Sequence, residues 1–148
     1  MESEGERHSD IPPLATFRVM AVEIDFEPEN GLCIYRITGR VTIDTMMALF
    51  ARARAREEWS DTYDFLTLLT RTSLSEMSAS AMADLQARMA RADPVKTGPR
   101  RRAAIVCDDK LSRAMLVFWE KTSSQTLTTH ERVFRTEHDA RAWLAEPR

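Results

Sequence analysis

The residues able to do chemistry are few and scattered. Of the three histidines, His8 lies in an acidic opening stretch, His130 at the start of an apolar run and His138 in a Thr-Glu-His-Asp segment. No two share the spacing with which one element holds a metal, and no cysteine is near them in sequence. The two cysteines fall inside apolar runs, Leu32-Cys33-Ile34 and Ala104-Ile105-Val106-Cys107, where a thiol packs as a small hydrophobe, so both are read as reduced core residues. With only four glycines there is no Gly-x-Gly-x-x-Gly and no phosphate loop, so close backbone approach to a nucleotide lacks its requirement, and no cofactor is expected. One polar constellation remains. Asp108 and Asp109 follow one apolar run, and Arg71 and Ser73 follow an earlier one. In an open α/β sheet the carboxyl ends of strands are where ligands bind, and there these four could converge. Adjacent carboxylates at a helix start are already stabilised by its dipole and by its free amides, so capping is the preferred reading, and no catalytic or metal-binding residue is assigned.

The elements that would position these residues follow from periodicity. Residues 1–16 are charged, carry Pro12-Pro13 and show no period, which predicts a loose tail; a single domain then spans 17–148. Phe17 to Phe26 and Leu32 to Ile37 flank Pro28-Glu29-Asn30-Gly31 and predict a hairpin. Gly39 ends the second strand, and Thr42 or Asp44 caps a first helix that reaches about Trp59, with Ile43, Met46, Met47 and Phe50 on its buried stripe. Asp64–Thr70 is a third strand. Ser73-Leu74-Ser75-Glu76 has capping-box spacing and opens a second helix with Ala81, Met82, Leu85 and Met89 on one face, ending near Asp93-Pro94. Lys96–Arg102 reads as a turn with a solvated basic run, leading into a strand over Ala103–Cys107. A third helix, capped by Asp108-Asp109 and carrying Leu111, Ala114, Met115 and Phe118, reaches about Thr122. A fifth strand, His130–Arg135, precedes a last helix that opens at Thr136-Glu137 and carries Ala140, Trp143 and Leu144. The order ββαβαβαβα predicts an α/β fold: a mixed five-stranded sheet with four helices.

Composition narrows the function classes. Hydrophobic residues are 43% and charged residues 30% of 148, a globular balance, and 21 basic against 23 acidic side chains leave a formal charge of −2. That gives no global attraction to nucleic acid, and the basic run at 96–102 has no interleaved aromatics, so no nucleic-acid partner is expected. No apolar stretch approaches the ~20 residues of a membrane span and the first ten residues are polar, so no stable membrane insertion is expected and the cytoplasm is the expected compartment. The third helix is apolar around most of its circumference, since Leu116, Val117 and Trp119 add to the Met115 and Phe118 side. Such a helix is wrapped by other elements, borders a cavity, or forms an interface. Methionines on the first three helices could line an adaptable pocket or merely fill a core.

The order of elements, the Tyr35-Arg36-Ile37-Thr38-Gly39-Arg40-Val41-Thr42 strand-to-helix turn and above all the ending Val133-Phe134-Arg135-Thr136-Glu137-His138-Asp139-Ala140-Arg141-Ala142-Trp143-Leu144 resemble the SpoIIAA-like group of STAS domains over residues 17 to 146. That is the fold of bacterial anti-anti-sigma factors, often grouped with CRAL-TRIO lipid-transfer domains. The resemblance implies a module that is not an enzyme and that binds a protein partner or a small ligand. Anti-anti-sigma factors carry a phosphorylated serine in an Asp-Ser-Ser/Thr-Gly motif after the third strand. The matching stretch here, Thr70 to Ser78, has no Asp-Ser pair and no glycine, so no phosphoacceptor is carried over. The expectation is therefore a binding module that engages a protein partner or a second copy through the surface of helices two and three. Its candidate residues are Arg71, Ser73, Asp108, Asp109, Met115, Phe118 and Trp119. The alternative is a carrier of a small apolar or lipid ligand in a dry pocket of a few hundred Å³ under helix three.

Overall fold

The computed structural model describes residues 19–148; the tail assigned to residues 1–16 and the expected strand start at Phe17 lie outside the described residues. Strand β1 (Ala21–Glu27) pairs antiparallel with β2 (Leu32–Arg40), Glu27 opposite Leu32. Between them Pro28–Asn30 forms a 3-10 turn that Gly31 closes at φ 62, a backbone region in which a side chain is strained. Strands β3 (Asp64–Ser73), β4 (Arg101–Cys107) and β5 (Thr129–Phe134) continue the sheet in parallel, in the spatial order β1-β2-β3-β4-β5. Helices α1 (Ile43–Arg54), α2 (Ala79–Ala92), α3 (Lys110–Ser123) and α4 (Glu137–Leu144) alternate with them, giving the expected mixed five-stranded sheet with four helices.

Because spatial order follows chain order, each parallel crossover advances one strand in the same direction, and crossovers of one hand then lay their helices on one face. The packing agrees. Cys33, Tyr35, Leu69 and Ile105 meet Leu49 of α1, Leu85 of α2 and Trp119 of α3, whereas Ile34, Leu66, Ala104 and Val106 meet Ala140, Trp143 and Leu144 of α4. Strand alternation divides the two sets: Phe65, Thr67 and Leu69 face three helices, and Leu66 and Leu68 face one. Both cysteines are free and buried, and burial pushes the Cys33 thiol up to about 11.

Three helix starts fall where capping oxygens were expected. The Thr42 hydroxyl accepts from Thr45 N while the Thr45 hydroxyl accepts from Thr42 N; Asp109 accepts from Ser112 N, and Thr136 from Asp139 N. Three expectations are corrected. Helix α1 stops at Arg54, not Trp59, because its apolar stripe ends at Ala53, and Arg56 N and Trp59 N turn back to Ala53 O and Arg56 O. Ser73 opens no helix. It is the last residue of β3, its hydroxyl donates to Ser75 Oγ, and the buried Leu74 and Met77 draw the next residues into the core, so Ser78 caps α2 instead. The side of α3 carrying Leu111, Ala114 and Phe118 faces outward; Ser112, Leu116, Trp119 and Ser123 form the buried stripe. An apolar helix offers two stripes, and the sheet takes the one that carries Leu116 and Trp119.

Among the described residues helix α4 alone covers the second face, and it is tied down tightly. Arg102 Nη1 donates to the carbonyls of Trp143 and Glu146 (2.8 Å each), and its guanidinium lies 5.5 Å over the Trp143 ring. Arg141 Nη1 and Nη2 bond Glu27 at 2.9 and 3.0 Å, joining α4 to the hairpin and lowering the Glu27 carboxyl to about 2. Since Trp143 is 5% exposed, Trp143→Ala should cost about 3–5 kcal/mol in a urea denaturation experiment. A loss below about 1 kcal/mol would mean that this face contributes little to stability.

Candidate functional site

Between the sheet and helices α1 to α3 lies a chamber of ≈ 140 Å³. Its origin is local. On the helix-facing side of β4, Arg101, Ala103, Ile105 and Cys107 alternate, and Ala103 contributes only a methyl where its neighbours on β3, Phe65 and Thr67, are larger. Five methionines form the walls: Met46 and Met47 from α1, Met77 from the linker, Met82 and Met89 from α2. Thioether side chains repack at low cost, so the walls can adapt to a guest. Tyr35, Leu69 and Ile105 floor the chamber, and Leu116 and Trp119 of α3 close one side.

The chamber is apolar toward the carboxyl ends of the strands and polar toward their amino ends. There Arg101, the first residue of β4, donates from Nη2 to Asp93 Oδ2 at 2.5 Å and to Thr128 Oγ1 at 3.2 Å; Thr128 Oγ1 donates to the same Asp93 oxygen at 2.6 Å. Burial opposes the charge of Asp93, but bonds from Thr128 and Val95 N and the nearby Arg101 outweigh it and hold the carboxyl below its usual range. Beside them Glu131 of β5 accepts from Trp119 Nε1 at 2.9 Å and from the Thr129 hydroxyl at 2.5 Å. Its burial outweighs those bonds and pushes its carboxyl up.

Of the seven candidate residues named from the sequence, Trp119 lines this chamber, together with Met46, Met47, Met82 and Met89 of the helix methionines. Arg71, Ser73, Asp108, Asp109, Met115 and Phe118 do not. Arg71 and Asp109 lie two positions beyond the last β3–β4 pair, Leu69 and Cys107, at the carboxyl edge of the sheet. Among the described residues no hydrogen bond or ion pair joins Arg71, Ser73, Asp108 and Asp109; Asp109 caps α3, and Ser73 bonds Ser75. Phe118 is exposed on the outer side of α3, and Met115 is half-buried beside the buried stripe and packs against the core. The basic run at 96–102 is corrected too: Arg101 is 6% exposed, not solvated, and both it and Arg102 belong to β4. Carrying the two-residue alternation back from Cys107 through Ile105 and Ala103 would have put Arg101 on the covered face. Nothing comparable in sequence marks Asp93, Thr128 or Glu131, which meet only through the fold. Among the described residues no group of three or more His, Cys, Asp or Glu could hold a metal ion, and no helix is long and apolar enough to cross a membrane.

Residues 32–145 match the protein-family model described as SpoIIAA-like. Among solved structures, the chain is similar to an uncharacterised protein of the DUF3478 family with a SpoIIAA-like fold from Shewanella loihica PV-4. The identity is 18% over 85% of this chain and 94% of that one, with a TM-score of 0.49. No curated protein matches.

The raised Glu131 carboxyl makes a signed prediction. The folded chain keeps a proton that the unfolded chain releases near pH 4.5, so the stability this group supplies is complete below that pH and is lost as pH rises through the folded value. Glu131→Gln cannot ionise. The stability of the wild type minus that of the variant, read from urea midpoints between about pH 4 and pH 8, should therefore fall as pH rises. A flat or rising difference contradicts a protonated Glu131.

Proposed function

We propose that the chain, which belongs to the SpoIIAA-like family, is a binding module without catalytic activity whose chamber holds a small apolar ligand. The observation that carries this reading is the ≈ 140 Å³ space walled by five methionines and polar at one end. A well-packed core leaves few voids larger than a water molecule. Cavities of about 150 Å³ lined by aliphatic and aromatic side chains stay dry and accept guests of benzene size. The chamber is smaller than the few hundred Å³ anticipated for a carrier, and Leu116 and Trp119 of α3 line the side nearest that helix. A guest of about six to ten heavy atoms suits it, with the methionines yielding to larger ones. The polar groups support binding over catalysis: Asp93 is engaged by Arg101 and Thr128, and Glu131 by Trp119 and Thr129.

Benzene or 1-hexanol added to the native chain should raise its melting temperature, with a stabilisation of about 2.7 kcal/mol at a hundredfold excess over Kd. Ala103→Leu, which fills the chamber, should remove the shift. A melting temperature indifferent to either probe overturns the reading.

A second reading has its own observation. Leu111, Val117 and Phe118 on the outer side of α3 are 72%, 45% and 39% exposed. Clustered exposed apolar side chains suit an interface with a partner protein or a second copy of the chain. If the second copy is the occupant, sedimentation velocity should show a dimer that grows with concentration and is lost in Phe118→Ser; a monomer throughout removes self-association.

A further inference from the structure

We infer that the polar end of the chamber is a carboxylate site, in which Arg101 receives the acid group of a small amphiphilic monocarboxylate whose apolar body lies among the methionines. This rests on the chamber being a ligand site, and adds the chemical class of the ligand.

The observation is an incompletely used buried cation. A guanidinium carries five N–H donors on three nitrogens. In Arg101 only Nη2 makes hydrogen bonds, to Asp93 and Thr128; among the described residues Nε and Nη1 have no partner. Arg101 is only 6% exposed, and unpaired buried donors are costly. The Arg101 guanidinium carbon lies 5.5 Å over the ring of Phe65, and both residues line the chamber. Guanidinium donors matched to a carboxylate form the stronger, charge-assisted class of hydrogen bond.

Of the charged residues lining the chamber, Arg54, Arg101, Asp93 and Glu131, the two arginines are the groups that attract an acid. The size and apolar lining of the chamber reserve the rest of the guest for hydrocarbon, so a monocarboxylate of about six carbons fits better than a polyanion.

Hexanoate and 1-hexanol, matched in chain length, test this by calorimetric titration of the full chain at neutral pH and low salt. Hexanoate should bind at least about tenfold tighter. Arg101→Met should abolish that preference while keeping hexanol binding. Asp93→Asn, which removes the competing carboxylate from Nη2, should tighten hexanoate alone. Equal affinities in the wild type, or tighter hexanol, overturn the carboxylate site and leave the apolar chamber standing. Binding of neither probe overturns both. Should Arg101→Met fail to fold, the wild-type probe pair and Asp93→Asn decide.

Discussion

Strand β4 carries the constraint on which the site depends. It is central, with β3 and β5 on either side, and helices pack on both its faces. Its pleat sends Arg101, Ala103, Ile105 and Cys107 toward three helices and Arg102, Ala104 and Val106 toward one. An arginine and an alanine two residues apart on the covered face leave room and place a charge at its end. A slip of one residue would exchange the two sets, moving Arg102 into the chamber and Arg101 onto Trp143. Two arginines neighbouring in sequence thus do opposite work: Arg102 binds α4 and the last carbonyls of the chain, while Arg101 keeps donors within the chamber.

The unequal helix layers follow from the same topology. Three crossovers on one face leave β5 at an edge, and α4 must fold back to cover the other face with only eight residues. The edge strand is blunted by Glu120 of α3, whose carboxylate accepts from Val133 N. Helices α2 and α3 are held together by Gln86, buried between them and donating to Trp119 O and the Thr122 hydroxyl. The roof over the chamber is therefore linked by Gln86 between α2 and α3, by the exposed Arg88–Asp44 pair (3.9 Å) between α2 and α1, and by adaptable methionines.

Much of this architecture was legible in the residues. Thr42, Asp109 and Thr136 sit where capping chemistry requires them, and the apolar runs of β3 and β4 are too short for helices, so element order follows directly. The exceptions have physical causes. Ser73 and Glu76 have capping-box spacing, yet burial of Leu74 and Met77 outweighs a local cap. Helix α3 is apolar on two sides, and only the sheet decides between Leu116 with Trp119 and Leu111 with Phe118. The polar end of the chamber was hidden because its members come from the end of α2, the starts of β4 and β5 and the loop before β5. The rule that favours carboxyl ends of strands directs attention to Arg71 and Asp108, at the opposite edge.

What matters most is whether the space beneath the helices admits a guest. Methionine-methyl NMR during titration with benzene answers this with an internal control, since Met115 lies on α3 outside the lining. The methyls of Met46, Met47, Met77, Met82 and Met89 should shift together and saturate while that of Met115 stays in place. Chamber methyls that do not move, or a response confined to Met115, would contradict that expectation.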